Sequence, residues 1–394
     1  MQKDCIGVFY FCIVIKKVID MGKTNIPIHI RRDLWFAAHG RCEFTGCNKQ
    51  LYIHGVTMDE CNISNYAHII GDSPNGPRGD KEKSKELAQD INNLILLCPE
   101  CHKLVDSNVK KYTVEILKQM KKEHEERIIR VTGIQPDMKS LVVAYGPKIG
   151  NKTPHFHKDV LFNTIFPERY PTDSTPVEIQ MKNSVMKDGE HDFWEAELRQ
   201  IDENCERRII APLERGEIPH VSLFALGPQP LLVKLGTVLN DQYPISVFQK
   251  HRNPDSWRWL DEDIQNEIKL IEPHEKLKEP ILLIALSANA IKERIVKRFG
   301  NVATIWTITC DHPNNDMLRN RCQLEQFKCE ARKAMDKIKA SHLDADVLKI
   351  FMAAPAACAV ELGRIRMPKS DLPWVLYDYR MEKDEDIEAI TIKN

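Results

Sequence analysis

The most explicit chemistry in this sequence lies in its first third. Cys42-x4-Cys47 and Cys98-x2-Cys101 form two paired-thiol knuckles separated by a domain-sized stretch. Two such knuckles suit one tetrahedral Zn2+ with four thiolate ligands; the alternative is four buried, unconnected cysteines. Cys61 is left over and is expected to be a buried apolar thiol. Between the knuckles, Asn65-Tyr66-Ala67-His68-Ile69-Ile70 places one histidine among apolar residues. Asn93 opens the run Asn-Leu-Ile-Leu-Leu-Cys, His102 follows Cys101 directly, and Asp106 lies four residues on. An imidazole titrates near neutral pH, so His68 is the natural general base. His102 and Asp106 at i, i+4 share a helical face and could hold a divalent cation, Mg2+ or a similar ion. A proton acceptor beside such a cation is what phosphodiester hydrolysis requires.

The elements that must position these groups can be read from pattern. Residues 31–39 predict a short helix, and residues 61–76 a strand ending in a polar Gly/Pro loop. The apolar run after Asn93 predicts a strand entering a turn and a helix. Residues 113–130 predict an amphipathic helix with Val114, Leu117, Met120 and Ile128 on one face. Residues 132–154, rich in Gly and Pro, are expected to be an interdomain linker carrying one strand over 140–145. Beyond them, strand, small-residue turn and helix recur three times, the pattern of a mostly parallel α/β sheet. In such sheets ligands sit beyond the carboxyl ends of the strands, near helix N-termini. The candidate ligand residues are therefore Gln229, Ser287, Asn289, Ala354 and Pro355, in three strand-to-helix turns. Lys250 and Trp257, in the segments Gln-Lys-His-Arg and Trp-Arg-Trp, add a cation and an aromatic face suited to stacking on bases.

Composition narrows the function classes. The chain has 394 residues, 42% of them apolar and 29% charged. That excludes a disordered or fibrous protein and gives room for two or three cores. Residues 1–154 hold 23 Lys/Arg against 18 Asp/Glu, and the remainder 33 against 39, so a polyanion is expected to meet the front. Arg78, Lys81, Lys83, Lys85, Lys103, Lys110 and Lys111 are the candidate phosphate contacts. Nothing resembles a base-reading helix, so weak sequence preference is expected. The apolar run Ile6–Ile15 is too short for a bilayer, which needs about 20 residues. No membrane association and a reducing cytoplasmic location are expected, where clustered cysteines more often hold metal. Residues 1–20 read either as an upstream start artefact or as a strand added to the fold.

The run Asn-Leu-x-x-Leu-Cys-x-x-Cys-His with the upstream Ala-His-Ile-Ile resembles the HNH nuclease family. The resemblance implies a ββα-metal fold, double-stranded DNA as substrate, and a role for Asn93 in bracing the loop that holds His68. It also exposes a departure: many HNH proteins carry a metal-binding Asp directly before the first His, where this sequence has Ala67. The second half resembles the SAVED domain, an α/β sensor of two fused CARF-like Rossmann-type units. The segments His220–Gly236, Pro280–Ile291 and 347–379 carry that resemblance. The implied organisation is an N-terminal extension (1–20), an HNH domain (21–131), a linker (132–154) and a SAVED domain (155–394). An HNH domain fused before SAVED looks like the effector nuclease of CBASS anti-phage defence. The resemblance implies an effector held inactive until a cyclic di- or trinucleotide binds; a homo-oligomer on activation is expected as well, because double-strand cleavage favours pairing two front domains. The competing readings are a modification-dependent restriction endonuclease and a non-catalytic, zinc-stabilised DNA-binding regulator. The acidic second half disfavours the first, and His68 with His102 and Asp106 the second.

Overall fold

The computed structural model describes residues 24–150, 152–181, 186, 190–260, 262, 265–288, 291–380 and 384–393. Met1–Asp20 and Asn289 lie outside the described residues. The chain divides into two compact units, before and after the Gly133–Ile134 bond.

The front unit is built on a small hairpin. Helix α1 (Ile28–Ala37) is followed by strand β1 (Asn65–His68), the short helix α2 (Lys83–Glu86), strand β2 (Leu94–Leu97) and helices α3 (Pro99–Ser107) and α4 (Val114–Thr132). β1 and β2 pair antiparallel, with Ala67 opposite Ile95 and His68 opposite Leu94. All four residues of β2 are buried, because α1 and α4 cover what the hairpin leaves open. Pro99 at the first turn of α3 costs no hydrogen bond there, and Thr113 caps α4 by accepting from the Ile116 N–H. The apolar stripe expected on α4 is the face it packs, with Leu117 buried and Val114 and Met120 against the core, but Lys121 and His124 are buried on that face as well. The two polar members are tolerated because each is partnered. Lys121 binds Glu125 at 2.6 Å, and His124 Nε2 donates to the Ala38 carbonyl at 3.0 Å.

The rear unit contains two sheets. The first opens with strand β3 (Lys139–Tyr145), then helix α5 (Lys158–Ile165), strands β4 (Tyr170–Pro171) and β5 (Val177–Ile179), and helices α6 (His191–Cys205) and α7 (Ala211–Glu214). A π-helical turn over Glu206–Ile210 joins α6 to α7; Pro212 lacks the N–H that a regular α turn would use there. Strand β6 (Val221–Ala225), helix α8 (Gln229–Val238) and strand β7 (Ile245–Phe248) complete this part. Its strands run parallel, with β3 between β6 and the short β4 and β5. The strand expected over 140–145 is present as β3, but it is a principal strand of this sheet and not part of a linker. Leu141, Val143 and Tyr145 face one layer and Val142 and Ala144 the other, which is strand alternation buried on both sides.

The second sheet follows strand β8 (Ile268–Ile271). It adds β9 (Glu279–Ala285), helix α9 (Ile291–Phe299), β10 (Ala303–Cys310), helix α10 (Arg321–Ser341), β11 (Leu348–Ala353), helix α11 (Ala356–Arg364), β12 (Trp374–Arg380) and β13 (Glu385–Ile392). The order is β13-β12-β11-β9-β10-β8, parallel in the middle with an antiparallel strand at each edge. The repeated strand–turn–helix units read from sequence are present, but they serve two sheets. One continuous core, centred on α8 and α11, joins them. These helices cross at bare backbone: a Cβ on Gly236 would lie 1.9 Å from the Val360 carbonyl oxygen, and one on Gly363 2.0 Å from that of Val233.

Candidate functional site

The four cysteine sulfurs converge. The turn after Cys42 needs left-handed backbone at Gly46 (φ +86°) and Asn48 (φ +51°), two residue types that tolerate it. That turn brings Cys47 back beside Cys98, the N-cap of α3, with sulfurs 4.0 Å apart. All four sulfurs lie within 4.8 Å of one another. A Zn–S bond of about 2.3 Å in a tetrahedron puts sulfurs about 3.8 Å apart, so the cluster fits a zinc ion. The backbone N–H groups of Cys98 and Cys101 already point at the sulfurs of Cys42 and Cys98. Burial pushes the Cys42 thiol up to about 12 and that of Cys101 up as well. Burial also opposes ionisation of Cys98, but donors from Cys101 and the neighbouring thiols outweigh it and hold that thiol below its ordinary value. A divalent cation would draw all four into the thiolate form.

His68 ends β1, opposite the start of β2. Its Nε2 lies 2.9 Å from the Ala88 carbonyl oxygen. A carbonyl only accepts, so Nε2 carries the proton and Nδ1 is left with its lone pair, the form a general base needs. Asn93, 2% exposed, stitches the backbone just beyond: its Oδ1 accepts from Ile70 N–H at 2.8 Å, and its Nδ2 donates to the carbonyls of Ile70 and Leu87 at 3.0 and 3.2 Å. His102 and Asp106 meet across one turn of α3, Nε2 to Oδ2 at 3.3 Å. The other Asp106 oxygen takes a 2.7 Å bond from Arg78. Burial would raise the Asp106 pKa; its bonds to His102 and Arg78 prevail and hold it below the usual carboxylate value.

In the rear unit, strand-to-helix turns meet at the carboxyl ends of β6, β9 and β11. Gln229 at the start of α8 donates through Nε2 to the Ala354 carbonyl at 2.9 Å. Gln249, just after β7 and buried, accepts from the Ala357 N–H at 3.0 Å, near the start of α11. The N–H groups of Leu286 and Ser287 both donate to the Ala353 carbonyl, at 2.9 and 2.8 Å. The start of α8, the start of α11 and the end of β9 thus share one hydrogen-bonded junction.

Family models match the chain in two places. Residues 81–107 match the HNH endonuclease model, a span that contains Asn93, Cys98, Cys101, His102 and Asp106. Residues 201–392 match SAVED, the SMODS-associated and fused to various effectors sensor domain. An HNH domain and a SAVED domain share this chain. Similar solved structures include the Acinetobacter baumannii Cap4 SAVED/CARF-domain containing receptor with the cyclic trinucleotide 2'3'3'-cAAA, at 14% identity over 79% of this chain and 67% of that one, TM-score 0.43. The same receptor with 3'3'3'-cAAA gives 14% identity, 80% and 68% coverage and TM-score 0.43. The Moraxella osloensis Cap4 SAVED/CARF-domain containing receptor gives 12%, 79%, 66% and 0.41. No curated protein matches.

Several residues lie elsewhere than their sequence pattern suggests. In the SAVED region, Gln229, Ser287, Ala354 and Pro355 come together at the junction. Trp257 does not offer a stacking face: it is 4% exposed, edge-on to Phe224 at 5.3 Å and stacked on Phe156 at 6.0 Å. It belongs to the core beneath the first sheet because Phe224 and Phe248 need an apolar cover there. Lys250 is ion-paired to Asp255, with its ammonium 5.8 Å from the Trp257 ring centre. In the HNH unit, Arg78 is no phosphate contact. Its side chain is 4% exposed and bonded internally, whereas Lys81, Lys83, Lys85, Lys103, Lys110 and Lys111 are exposed. Lys83 and Lys110 border one cleft of about 500 Å³. Gln249, not among the residues expected from the sequence, also joins the junction; its place directly after an apolar strand was the available signal. Among the described residues, no helix is long and apolar enough to cross a membrane.

Proposed function

We propose that this chain is a DNA endonuclease of bacterial anti-phage defence, a CBASS effector, switched on by a cyclic di- or trinucleotide. The front unit is read as a ββα-metal core made of β1, β2 and α3, and the rear unit as two fused CARF-like units, one per sheet. The observation that carries the reading is the pairing, in one chain, of a histidine held for proton abstraction with a region matching a sensor domain.

In this reading His68 Nδ1 removes the proton from the water that attacks phosphorus, while the Ala88 carbonyl fixes the ring tautomer. Asn93 keeps His68 in place by holding the Ile70 backbone. A divalent cation bound at His102 would supply charge stabilisation to the phosphate and the departing oxygen. Four cysteines with zinc lock α3 to the turn after Cys42, and so fix where His102 stands. Exposed lysines beside the cleft hold the DNA backbone without reading bases.

The rear junction is where the nucleotide binds: two helix starts meeting beyond the carboxyl ends of parallel strands suit a ribose-phosphate ring. Its binding energy acts through conformation and assembly, since one cation per chain cuts one strand and paired front units cut both. The test is plasmid cleavage by purified protein with and without a panel of cyclic di- and trinucleotides, with mass by analytical ultracentrifugation. The reading predicts cleavage and a larger assembly only with one member of the panel. Cleavage unaffected by every nucleotide contradicts the sensor assignment.

A further inference from the structure

The loop between His68 and α2 is folded far more tightly than a connector requires. It reads Gly71-Asp72-Ser73-Pro74-Asn75-Gly76-Pro77-Arg78-Gly79-Asp80. A Cβ on Gly71 would sit 2.3 Å from the Pro77 carbonyl oxygen, and one on Gly79 2.3 Å from that of Ser73. The Gly71 N–H donates to the Arg78 carbonyl at 3.2 Å, and the Ser84 hydroxyl donates to the Gly71 carbonyl at 2.6 Å. This frame holds Arg78 at φ +56°, left-handed backbone that a long side chain rarely adopts.

The strained conformation aims one buried guanidinium at three acceptors. Nε donates to the Ile69 carbonyl at 2.9 Å, directly after His68. One Nη donates to the Val105 carbonyl at 2.9 Å and the other to Asp106 Oδ1 at 2.7 Å, both on the helix that carries His102. Asp106 Oδ2 in turn meets His102 Nε2. A carboxylate only accepts, so His102 keeps its proton on Nε2 and leaves the Nδ1 lone pair for a cation. Both Asp106 oxygens are then engaged by protein donors.

We propose that Arg78 and Asp106 are positioning residues. Arg78 fixes Asp106, Asp106 fixes the His102 ring with Nδ1 outward, and the same guanidinium sets the distance from the His68 strand to the His102 helix. Asp106 serves the imidazole, not the cation. The proposal rests on the nuclease reading above and deepens it.

The test is Mn2+ binding to the full-length, zinc-loaded chain by isothermal titration calorimetry, with zinc content and circular dichroism measured alongside. The relay predicts that Arg78→Gln and Asp106→Asn each weaken Mn2+ about 10–100-fold, with zinc retained. Because both act through His102, the double variant should be no more than about twofold worse than the weaker single variant. If Asp106 were instead a cation ligand with Arg78 competing for it, Arg78→Gln would tighten Mn2+ binding, and that sign overturns the proposal. Should Arg78→Gln fail to fold, Arg78→Lys decides: it keeps the charge but loses the planar fork, and unchanged Mn2+ affinity overturns the relay. Histidine 15N NMR adds an independent signature, an Nε2-protonated His102 in the wild type that loses this preference in Asp106→Ala. His102→Ala separates the two levels. If it leaves Mn2+ binding intact, or the wild type binds none at millimolar ion, the nuclease reading's cation site falls and the relay with it. If it abolishes binding while the Arg78 variants do not weaken it, the relay alone falls.

Discussion

Replacing Gly363 by alanine probes the crossing on which the rear unit turns. The added methyl would stand 2.0 Å from the Val233 carbonyl oxygen and within 3 Å of the Thr237 nitrogen and the Gly236 Cα. An ordinary carbon–oxygen contact is about 3.3 Å, so the helices must part by more than about 1 Å. All three obstacles are backbone in α8, so no side-chain rotamer relieves them. Overpacking costs about 1–3 kcal/mol, and a rigid site places this change at the upper end or beyond. At about 2–4 °C per kcal/mol for a unit of this size, the melting temperature should fall by about 6–12 °C. Gly236→Ala fills the same gap from the other side, so the double variant should lose less than the two single losses combined. The parted helices begin at Gln229 and Ala356, so nucleotide affinity should fall with stability. Differential scanning fluorimetry and titration of the activating nucleotide read both effects. A melting temperature within 1 °C of wild type would refute the close crossing and the geometry built on it.

Cys98→Ser should lower soluble yield and reduce zinc, measured by plasma emission spectrometry, from about one per chain to a small fraction, because structural zinc contributes folding energy directly. Trp257→Ala should cost about 3–5 kcal/mol in chemical unfolding, as for a core aromatic, and a stable variant that merely loses nucleotide binding would contradict its burial. Glu197, buried beneath Tyr145, has its carboxyl raised by burial to about 7. Its protonated form fits the folded state, so stability is fully present below pH about 4.5 and declines as pH rises through about 7. Glu197→Gln should remove that decline and be more stable at pH 8 by at most about 3 kcal/mol, and urea unfolding at pH 5 and pH 8 checks the sign.

What could be read from the sequence depended on how local the cause is. Knuckle spacing located the four-cysteine cluster, because a Cys-x2-Cys turn fixes its own geometry. The strand–turn–helix units at β6–α8, β9–α9 and β11–α11 were legible because apolar runs and small-residue turns are local signals. Strand β3 was legible as a strand over 140–145, but the Gly and Pro residues around it read as linker, because its place beside β6 comes from pairing 80 residues away. Arg78 looked like a phosphate contact because a basic residue in a Gly/Pro loop is usually exposed. Only the left-handed backbone, which depends on Gly71 and Gly79 having no side chains, turns it inward. Trp257 was misread for the converse reason. Aromatic and basic residues in alternation suit nucleotide stacking, but Phe224 and Phe248, partners across β6 and β7, claim the ring for the core.

The central claim is that a cyclic nucleotide bound at the rear unit licenses DNA cleavage at His68. The most direct measurement is a single plasmid assay on wild type and His68→Ala, each with and without a cyclic di- or trinucleotide that calorimetry shows to bind. The account predicts cleavage by the wild type only when the nucleotide is present. It predicts a rate about 10²–10⁴-fold lower for His68→Ala, with nucleotide affinity and zinc content unchanged. Wild-type cleavage by His68→Ala, or bound nucleotide that leaves the wild type inert toward DNA, would contradict it.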